Sequence, residues 1–298
     1  MAVFNFGSIN IDHVYSVPHF VQPGETLSSK DYQSILGGKG ANQSVALAKA
    51  ENDVFHVGAI GSSDAAFITQ MKSAGVNCAH IREMSDVASG HAIIQVTPDA
   101  ENSIILFGGA NQTLSHDHIA TALATAKQGD WVLLQNETNA IADIIDKAHE
   151  LGLNIAFNPA PMTESVKSLP LQKLSLLVVN EIEAEQLTGF NDIEKIKQAL
   201  LAAYPSTNFV VTLGKQGAWY INQETSAFCE AFKVKAVDTT AAGDTFIGFF
   251  LAAFQRQESA EEALRYASAA SALAVTKAGA APSIPSVKEV HDFLTSQK

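Results

Sequence analysis

Cysteine is nearly absent: the 298 residues include only Cys78 and Cys229. They stand far apart, with no C-x-x-C and no Cys/His pair at zinc spacing, which argues against a disulfide scaffold or a zinc module. Two reduced thiols in an intracellular protein are expected. Basic charge is also scarce. Lys and Arg total 19 against 31 Asp and Glu, a formal net charge of −12. That balance disfavours non-specific binding to nucleic acid or to an anionic membrane surface. A small anionic ligand stays possible, because backbone N–H groups at a helix start can hold phosphate in an acidic protein. Long apolar runs are missing. The longest, Phe246 to Phe254, contains Gly248 and falls well short of the ~20 apolar residues of a membrane span. The apolar start, Met1 to Phe6, has no basic flank and does not read as a signal peptide. A soluble, cytoplasmic protein is expected.

Hydrophobic residues make up 47% and charged residues 17%, a balance that supports a packed core and excludes a disordered chain. Short β-rich runs alternate with helical patterns. Val3–Phe6, Val54–Val57, Trp131–Leu134, Asn154–Phe157, Leu176–Val179 and Phe209–Thr212 are apolar at nearly every position, as strands buried on both faces are. Ala41–Ala50, Asp64–Ser73, His116–Lys127, Ala140–Leu151 and Ile193–Ala203 carry apolar residues at helical spacing. This alternation predicts an α/β fold, a mostly parallel sheet between two helical layers. Two stretches break the rhythm. No convincing helix lies between Ile9 and Leu36, and His91–Thr97 and Asn102–Phe107 flank Pro98-Asp99-Ala100-Glu101 as a hairpin. A small second sheet from about 9–36 and 88–110, inserted in a single 1–298 domain, is expected to cover a cleft, a partner or both. A further hairpin, Trp219–Asn222 with Ala227–Phe232, precedes two helices, Ala241–Gln255 and Ala260–Lys277.

Three features point to chemistry. In Val237-Asp238-Thr239-Thr240-Ala241-Ala242-Gly243-Asp244-Thr245-Phe246, small residues precede a helix whose first turn carries Asp244. Ala and Gly let backbone N–H groups approach a ligand closely, and the helix start favours an anion. A carboxylate there can take a proton from a nucleophile attacking that anion, or it can simply complement the helix dipole. In Leu36-Gly37-Gly38-Lys39-Gly40-Ala41-Asn42, glycines, a cation and an amide open a helix and suit a polyhydroxylated or anionic ligand. Neither a Walker A loop nor G-x-G-x-x-G is present. Asn10 and Asp12 follow the first strand and Glu137 follows Trp131–Gln135, placing polar groups where α/β proteins bind ligands, although each alone fits a solvated loop.

Together these segments resemble the ribokinase family of carbohydrate kinases. Gly7-Ser8-Ile9-Asn10-Ile11-Asp12 is similar to the family's first strand and sugar loop. Gly37–Asn42 and Asp238–Phe246 are similar to its two signatures. Asn158-Pro159-Ala160-Pro161, Asn180-Glu181-Ile182-Glu183-Ala184-Glu185 and Thr212-Leu213-Gly214 fit its intermediate motifs. The likeness runs in order over essentially the whole chain. It implies ATP-dependent phosphorylation of the 5-hydroxyl of D-ribose to ribose 5-phosphate. Asp244 would be the base, and the backbone amides of Ala241, Ala242, Gly243 and Asp244 the anion hole. Asn10, Asp12, Gly38, Lys39, Asn42 and Glu137 would hold the sugar. Asn180 and Glu183 would place Mg²⁺ and the nucleotide phosphates through water, with Thr212 and Gly214 along the nucleotide. Ser268 stands where the family often has His or Asn near the adenine, which bears on the choice of donor. The family also uses a monovalent cation, usually K⁺. Asp238 and Thr240 would flank it on one side, and Ala274, Lys277, Gly279 and Ser283 on the other, mostly through backbone carbonyls. Lid sheets of two subunits pack together in the family, so a homodimer is expected.

The residues narrow the sugar. No Lys or Arg occurs between Ser85 and Asn111, and Lys30 is the only one between Ser8 and Leu36. A sugar-phosphate substrate would want a cation there. Tyr15, Phe20 and Phe107 could contribute an aromatic slot for a nucleoside. 2-Deoxyribose is the nearest rival, and it leaves a hydroxyl-reading pocket at Asn10 and Asp12 unfilled. Asp244, Gly243 and Lys39 favour catalysis over a sugar-binding regulator that has lost turnover. The lack of a dinucleotide fingerprint disfavours an NAD-dependent oxidoreductase.

Overall fold

The computed structural model describes every residue except Ala100 and Lys298. Its larger sheet has nine strands. Seven are parallel: β1 (Val3–Phe6), β4 (Val54–Gly61), β5 (Asn77–Met84), β8 (Trp131–Gln135), β9 (Asn154–Asn158), β10 (Leu176–Asn180) and β11 (Asn208–Thr212). β12 (Gly217–Ile221) and β13 (Ser226–Glu230) extend it antiparallel, and the order is β13-β12-β11-β10-β9-β8-β1-β4-β5. Every residue of β1 is buried, because helices cover both faces of the sheet. One apolar cluster joins α1 (Lys39–Lys49), α2 (Ala66–Ser73), α7 (Ala242–Gln255), α8 (Ala260–Ala274) and α9 (Val287–Ser296) to one face. A second joins α3 (His116–Leu123), α4 (Ile141–Glu150), α5 (Glu181–Thr188) and α6 (Ile193–Ala203) to the other. The three-layer α/β/α reading of the sequence holds.

The smaller sheet runs β3-β2-β6-β7, from β2 (Asn10–Ser16), β3 (Asp31–Gly37), β6 (Gly90–Val96) and β7 (Asn102–Phe107). The expected hairpin is β6 with β7; Ala100 in its turn lies outside the described residues. Register settles what each face carries. Asp12 pairs with Ile35 and Ala92, and Ala92 with Leu106, so these share a face with Val14, Ile94 and Ile104. The other face carries His13, Tyr15, Tyr32, His91, Ile93, Ile105 and Phe107.

Several elements differ from the sequence reading. α3 ends at Leu123, where a turn closes Ala126 onto Leu123, and α8 ends at Ala274, with Lys277 in a turn. Residues 62–64 form a 3-10 turn before α2. β5 and α5 carry weak apolar signals, since β5 is an edge strand and α5 buries only Glu183 and Ala184, whereas α9 has Val287, Val290, Phe293 and Leu294 at helical spacing and is absent from the sequence reading.

Candidate active site

The carboxyl ends of the parallel strands converge on one cleft, where α/β folds bind ligands. Its lining includes Lys39, Asn158, Asn180, Glu183, Thr212, Thr240, Gly243 and Asp244. Lys39 is the only cation among these described residues.

Asp244 sits in the first turn of α7 and is buried. Asn42 Nδ2 donates to its Oδ2 and Gln43 Nε2 to its Oδ1, both at 2.9 Å. Burial pushes its pKa up to about 6, against the opposing pull of Lys39 and the two amide donors, while Glu137 adds to the rise. The Ala242 N–H is bonded to Thr239 O at 3.2 Å. Among the described hydrogen bonds, none uses the N–H of Ala241, Gly243 or Asp244, and a Cβ at Gly243 would meet nothing within 4 Å. An open helix start with free N–H groups is thus set beside a buried carboxylate.

The first glycine signature meets the small sheet. Gly38 caps α1 at φ 88, and a Cβ there would stand 2.8 Å from Asn10 N. Lys39 N donates to Glu137 Oε2 at 3.0 Å, its Nζ lies 3.9 Å from Glu137 Oε1, and Ser8 Oγ also donates to Glu137. Burial opposes the Lys39 charge, but Asp244, Glu137, Glu183 and Asp12 hold its pKa above the ordinary value. The buried Asp12 carboxylate has no hydrogen-bond partner among the described residues, and burial, aided by Glu137 and opposed by Lys39, pushes its pKa up to about 6. Asn10 Oδ1 accepts from Asn111 Nδ2 at 2.7 Å, so the Asn10 amide turns its donor the other way. Asn42 Oδ1 is buried and unpartnered. Asn10, Asp12, Gly38, Lys39, Asn42, Glu137 and Asp244 thus belong to one connected region.

At the opposite end, Asn180 caps α5 reciprocally with Glu183: Glu183 N donates to Asn180 Oδ1 at 2.8 Å and Asn180 N to Glu183 Oε2 at 3.0 Å. Burial raises the Glu183 pKa, while the Asn180 N–H and Lys39 lower it and Glu181 raises it further. Thr212 ends β11, and Gly214 opens the following turn at φ 52. Ser268, on α8, lies outside the cleft lining and faces the Cys229 thiol. Asp238 joins two segments: its Oδ1 accepts from Thr240 N and Oγ1, and its Oδ2 from Gly279 N at 2.9 Å. Burial works against its charge, but these donors prevail and hold it below the usual carboxylate range. Ala274, Lys277 and Ser283 lie on or beside the loop that carries Gly279. The Lys277 side chain turns away to Glu289 at 2.8 Å, and Ser283 Oγ donates to Ala280 O at 2.8 Å.

Sequence reasoning missed Gln43, Gln135, Asn5 and Asn111, all buried amides behind the site. One signal was available: Asn5 is polar inside a strand buried throughout, and a buried amide needs partners.

The sequence matches the pfkB family of carbohydrate kinases over residues 2–287. It is 39% identical to a ribokinase of Haemophilus influenzae over 299 residues, covering 97% of this chain and 96% of that one. It is 31% identical to a deoxyribokinase of Salmonella typhi over 303 residues, covering 99% of each. Its fold is similar to that of an Arabidopsis thaliana ribokinase complexed with ribose and ATP, at a TM-score of 0.87, 31% identity and 98% coverage of both chains. The chain belongs to the pfkB family of carbohydrate kinases.

Proposed function

We propose that this enzyme transfers the γ-phosphoryl group of ATP to the 5-hydroxyl of D-ribose. The observation that carries the reading is Asp244, buried and held by two amides beside the open N–H groups at the start of α7. Asp244 takes the proton of the 5-hydroxyl as that oxygen attacks the γ-phosphorus. The bond to the β-phosphate oxygen breaks, and ADP leaves. The N–H groups of Ala241, Gly243 and Asp244 face the charge on the transferring group. The Ala242 N–H, already spent on Thr239, contributes through the helix dipole.

Asn10, Asp12, Gly38, Lys39, Asn42 and Glu137 hold the sugar. The unpartnered Asn42 Oδ1 and the unbonded Asp12 carboxylate suit hydroxyl donors. The turned Asn10 amide offers a donor. These groups favour ribose over 2-deoxyribose, the second reading that the deoxyribokinase relative supplies, because a missing hydroxyl leaves buried polar groups unpaired.

Asn180 and Glu183 fit a Mg²⁺ held through water. Glu183 spends Oε2 on the cap and keeps Oε1, while the capping Asn180 Oδ1 leaves the Asn180 Nδ2 as a donor, a set that suits a hydrated ion rather than direct ligation. Mg²⁺ supplies charge neutralisation at the nucleotide phosphates. Thr212 and Gly214 run along the nucleotide, and Ser268 stays near the adenine end without lining the cleft. Asp238 and Thr240, tied to the Gly279 loop, fit K⁺ with the carbonyls of Ala274, Lys277, Gly279 and Ser283. An ionised Asp238 supplies the charge that such a cation needs.

The face of the small sheet that carries Asp12 closes over the sugar as a lid. The aromatic face opposite packs on a second copy, making a homodimer. The enzyme works in the cytoplasm, where ATP is available and the free thiols of Cys78 and Cys229 stay reduced.

The test is ATP-dependent phosphorylation of ribose, 2-deoxyribose, fructose, adenosine, uridine and fructose 6-phosphate, with and without K⁺, beside Asp244→Asn. Fast turnover of ribose that the variant loses by about 10²–10⁴-fold supports the reading. Preference for another sugar overturns the assignment of Asn10 and Asp12 while keeping the mechanism. Ribose bound without any turnover points to a non-catalytic regulator.

A further inference from the structure

Gln43 occupies a different position from Asn42, although both hold Asp244. Asn42 belongs to the proposed sugar pocket. Gln43 is wholly inaccessible and lies outside the cleft lining. Behind it, Gln43 Oε1 accepts from Gln135 Nε2 at 2.8 Å. Gln135 Nε2 also donates to Asn5 Oδ1 at 2.9 Å. Asn5 Nδ2 donates to Gly40 O and to Ser44 Oγ, both at 2.8 Å. Gln43, Gln135 and Asn5 are all fully buried.

The far end fixes the direction of this chain. A backbone carbonyl only accepts, so Asn5 must turn its NH₂ group toward Gly40. Its oxygen then faces Gln135, which must donate. The Gln135 NH₂ in turn faces the Gln43 oxygen, which leaves the Gln43 NH₂ for Asp244 Oδ1 and, at 3.4 Å, for Asn158 Oδ1, whose own NH₂ is held by Val178 O. Reversing any one amide would set donor against donor or acceptor against acceptor in a buried place. The order holds even though Gln135 Oε1 finds no partner. His56 secures the same end. Its Nε2–H donates to Gly7 O at 3.1 Å, so its Nδ1 accepts from Ser44 Oγ at 2.8 Å. Burial keeps this ring neutral, pushing its pKa down to about 4.

We infer that Gln43 is a positioning residue for phosphoryl transfer, aiming the Asp244 carboxylate and keeping it ionised with an amide whose direction is set by the Gly40 carbonyl through Asn5 and Gln135. The inference rests on the reading of Asp244 as base. A donor on a carboxylate favours the charged form, which burial opposes. The other charged groups facing Asp244 are Lys39 of α1 and Glu137 after β8. Asp12 of β2 and Glu183 of α5 face Lys39 in turn. Gln43→Met removes the donor at nearly constant length and leaves all of these charges in place.

The experiment compares full-length wild type with Gln43→Met, Gln135→Met and Asp244→Asn. It reads the pH profile of kcat/KM for ribose, the KM for ATP, thermal stability, and the ¹³C titration of the Asp244 carboxyl, assigned by its loss in Asp244→Asn. In Gln43→Met the acid limb and the carboxyl titration should both move up by about one pH unit, the worth of one hydrogen bond to a charged group. Turnover near neutral pH should fall roughly tenfold or more, because the carboxylate is no longer aimed, with the KM for ATP unchanged. Gln135→Met should move both in the same direction by less, and it carries the test if Gln43→Met does not fold. Lower thermal stability with both pH readouts unmoved would overturn the inference. Turnover retained in Asp244→Asn would instead overturn the reading of Asp244 as base, while the carboxyl titration would still report whether Gln43 acts on it.

Discussion

Asn42 and Asp244 stand 202 positions apart in the chain, yet the Asn42 side-chain NH₂ donates to Asp244 Oδ2 at 2.9 Å. The cause lies one helical turn further on. A Cβ at Gly248 would stand 2.4 Å from Ala46 Cβ and 2.9 Å from Ala46 C. Gly248 follows Asp244 by one turn of α7, and Ala46 follows Asn42 by one turn of α1. The missing side chain lets the two backbones approach, and that approach delivers the Asn42 amide to Asp244, the proposed base.

Gly248→Ala is therefore expected to push α1 and α7 apart. The forced overpacking should cost about 1–3 kcal/mol of stability. Turnover should fall with it, because the Asn42–Asp244 bond lengthens. Chemical denaturation and steady-state kinetics on one preparation check both. Unchanged turnover in a destabilised protein would show that the close crossing does not set the base.

Gly243 makes the opposite case. Its Cβ would meet nothing within 4 Å, and its φ is not in the left-handed region. Gly243→Ala should leave stability unchanged or raise it by up to about 1 kcal/mol, since Ala is the better helix former. The new methyl would face the cleft where the transferring group must approach, so kcat should fall about 10–100-fold. Thermal melting beside kcat measures this split between fold and chemistry.

The central strands were legible because runs such as Val3–Phe6 and Trp131–Gln135 are buried on both faces and so apolar almost throughout. Gly38 and Asp244 were legible because a tight turn and a helix start impose strong local demands on residue type. β5 was not: at the sheet edge it needs only a few apolar contacts, and half of Asn77–Met84 is polar without strict alternation. The amides behind Asp244 were not legible because their roles depend on partners distant in sequence, as Gln135 is from Gln43. The two faces of the small sheet needed register, since alternation alone cannot say which set points at the cleft.

That register gives a paired test of assembly. Ile105 lies on the aromatic face with Tyr32 and Phe107, whereas Ile104 lies on the Asp12 face, and both are at least half exposed. Ile105→Asp is expected to give a monomer at micromolar concentration, while Ile104→Asp keeps the dimer and weakens sugar binding. Sedimentation velocity over a concentration series, with the KM for ribose, checks both. If only Ile104→Asp gave a monomer, the faces would be assigned the wrong way round.

In the proposed sugar pocket, Asp12 is expected to set binding against stability. Its folded pKa is about 6 against an ordinary 3.8. A carboxylate whose pKa is raised by folding destabilises the protein wherever it is charged: the penalty is full above about 6, fades as the pH falls toward 3.8, and is gone below that. Asp12→Asn removes the charge and nearly preserves the shape. It should stabilise the free protein by about 3 kcal/mol at pH 7–8, with the gain vanishing near pH 4. The same change should raise the KM for ribose, because the neutral amide has lost one acceptor oxygen and half of that side chain now donates. Denaturation midpoints at several pH values, measured without ligand, check the first part, and ribose titration checks the second. A variant less stable than wild type at pH 8 would mean that Lys39 compensates the buried charge fully and that the pocket carries no electrostatic strain before sugar enters.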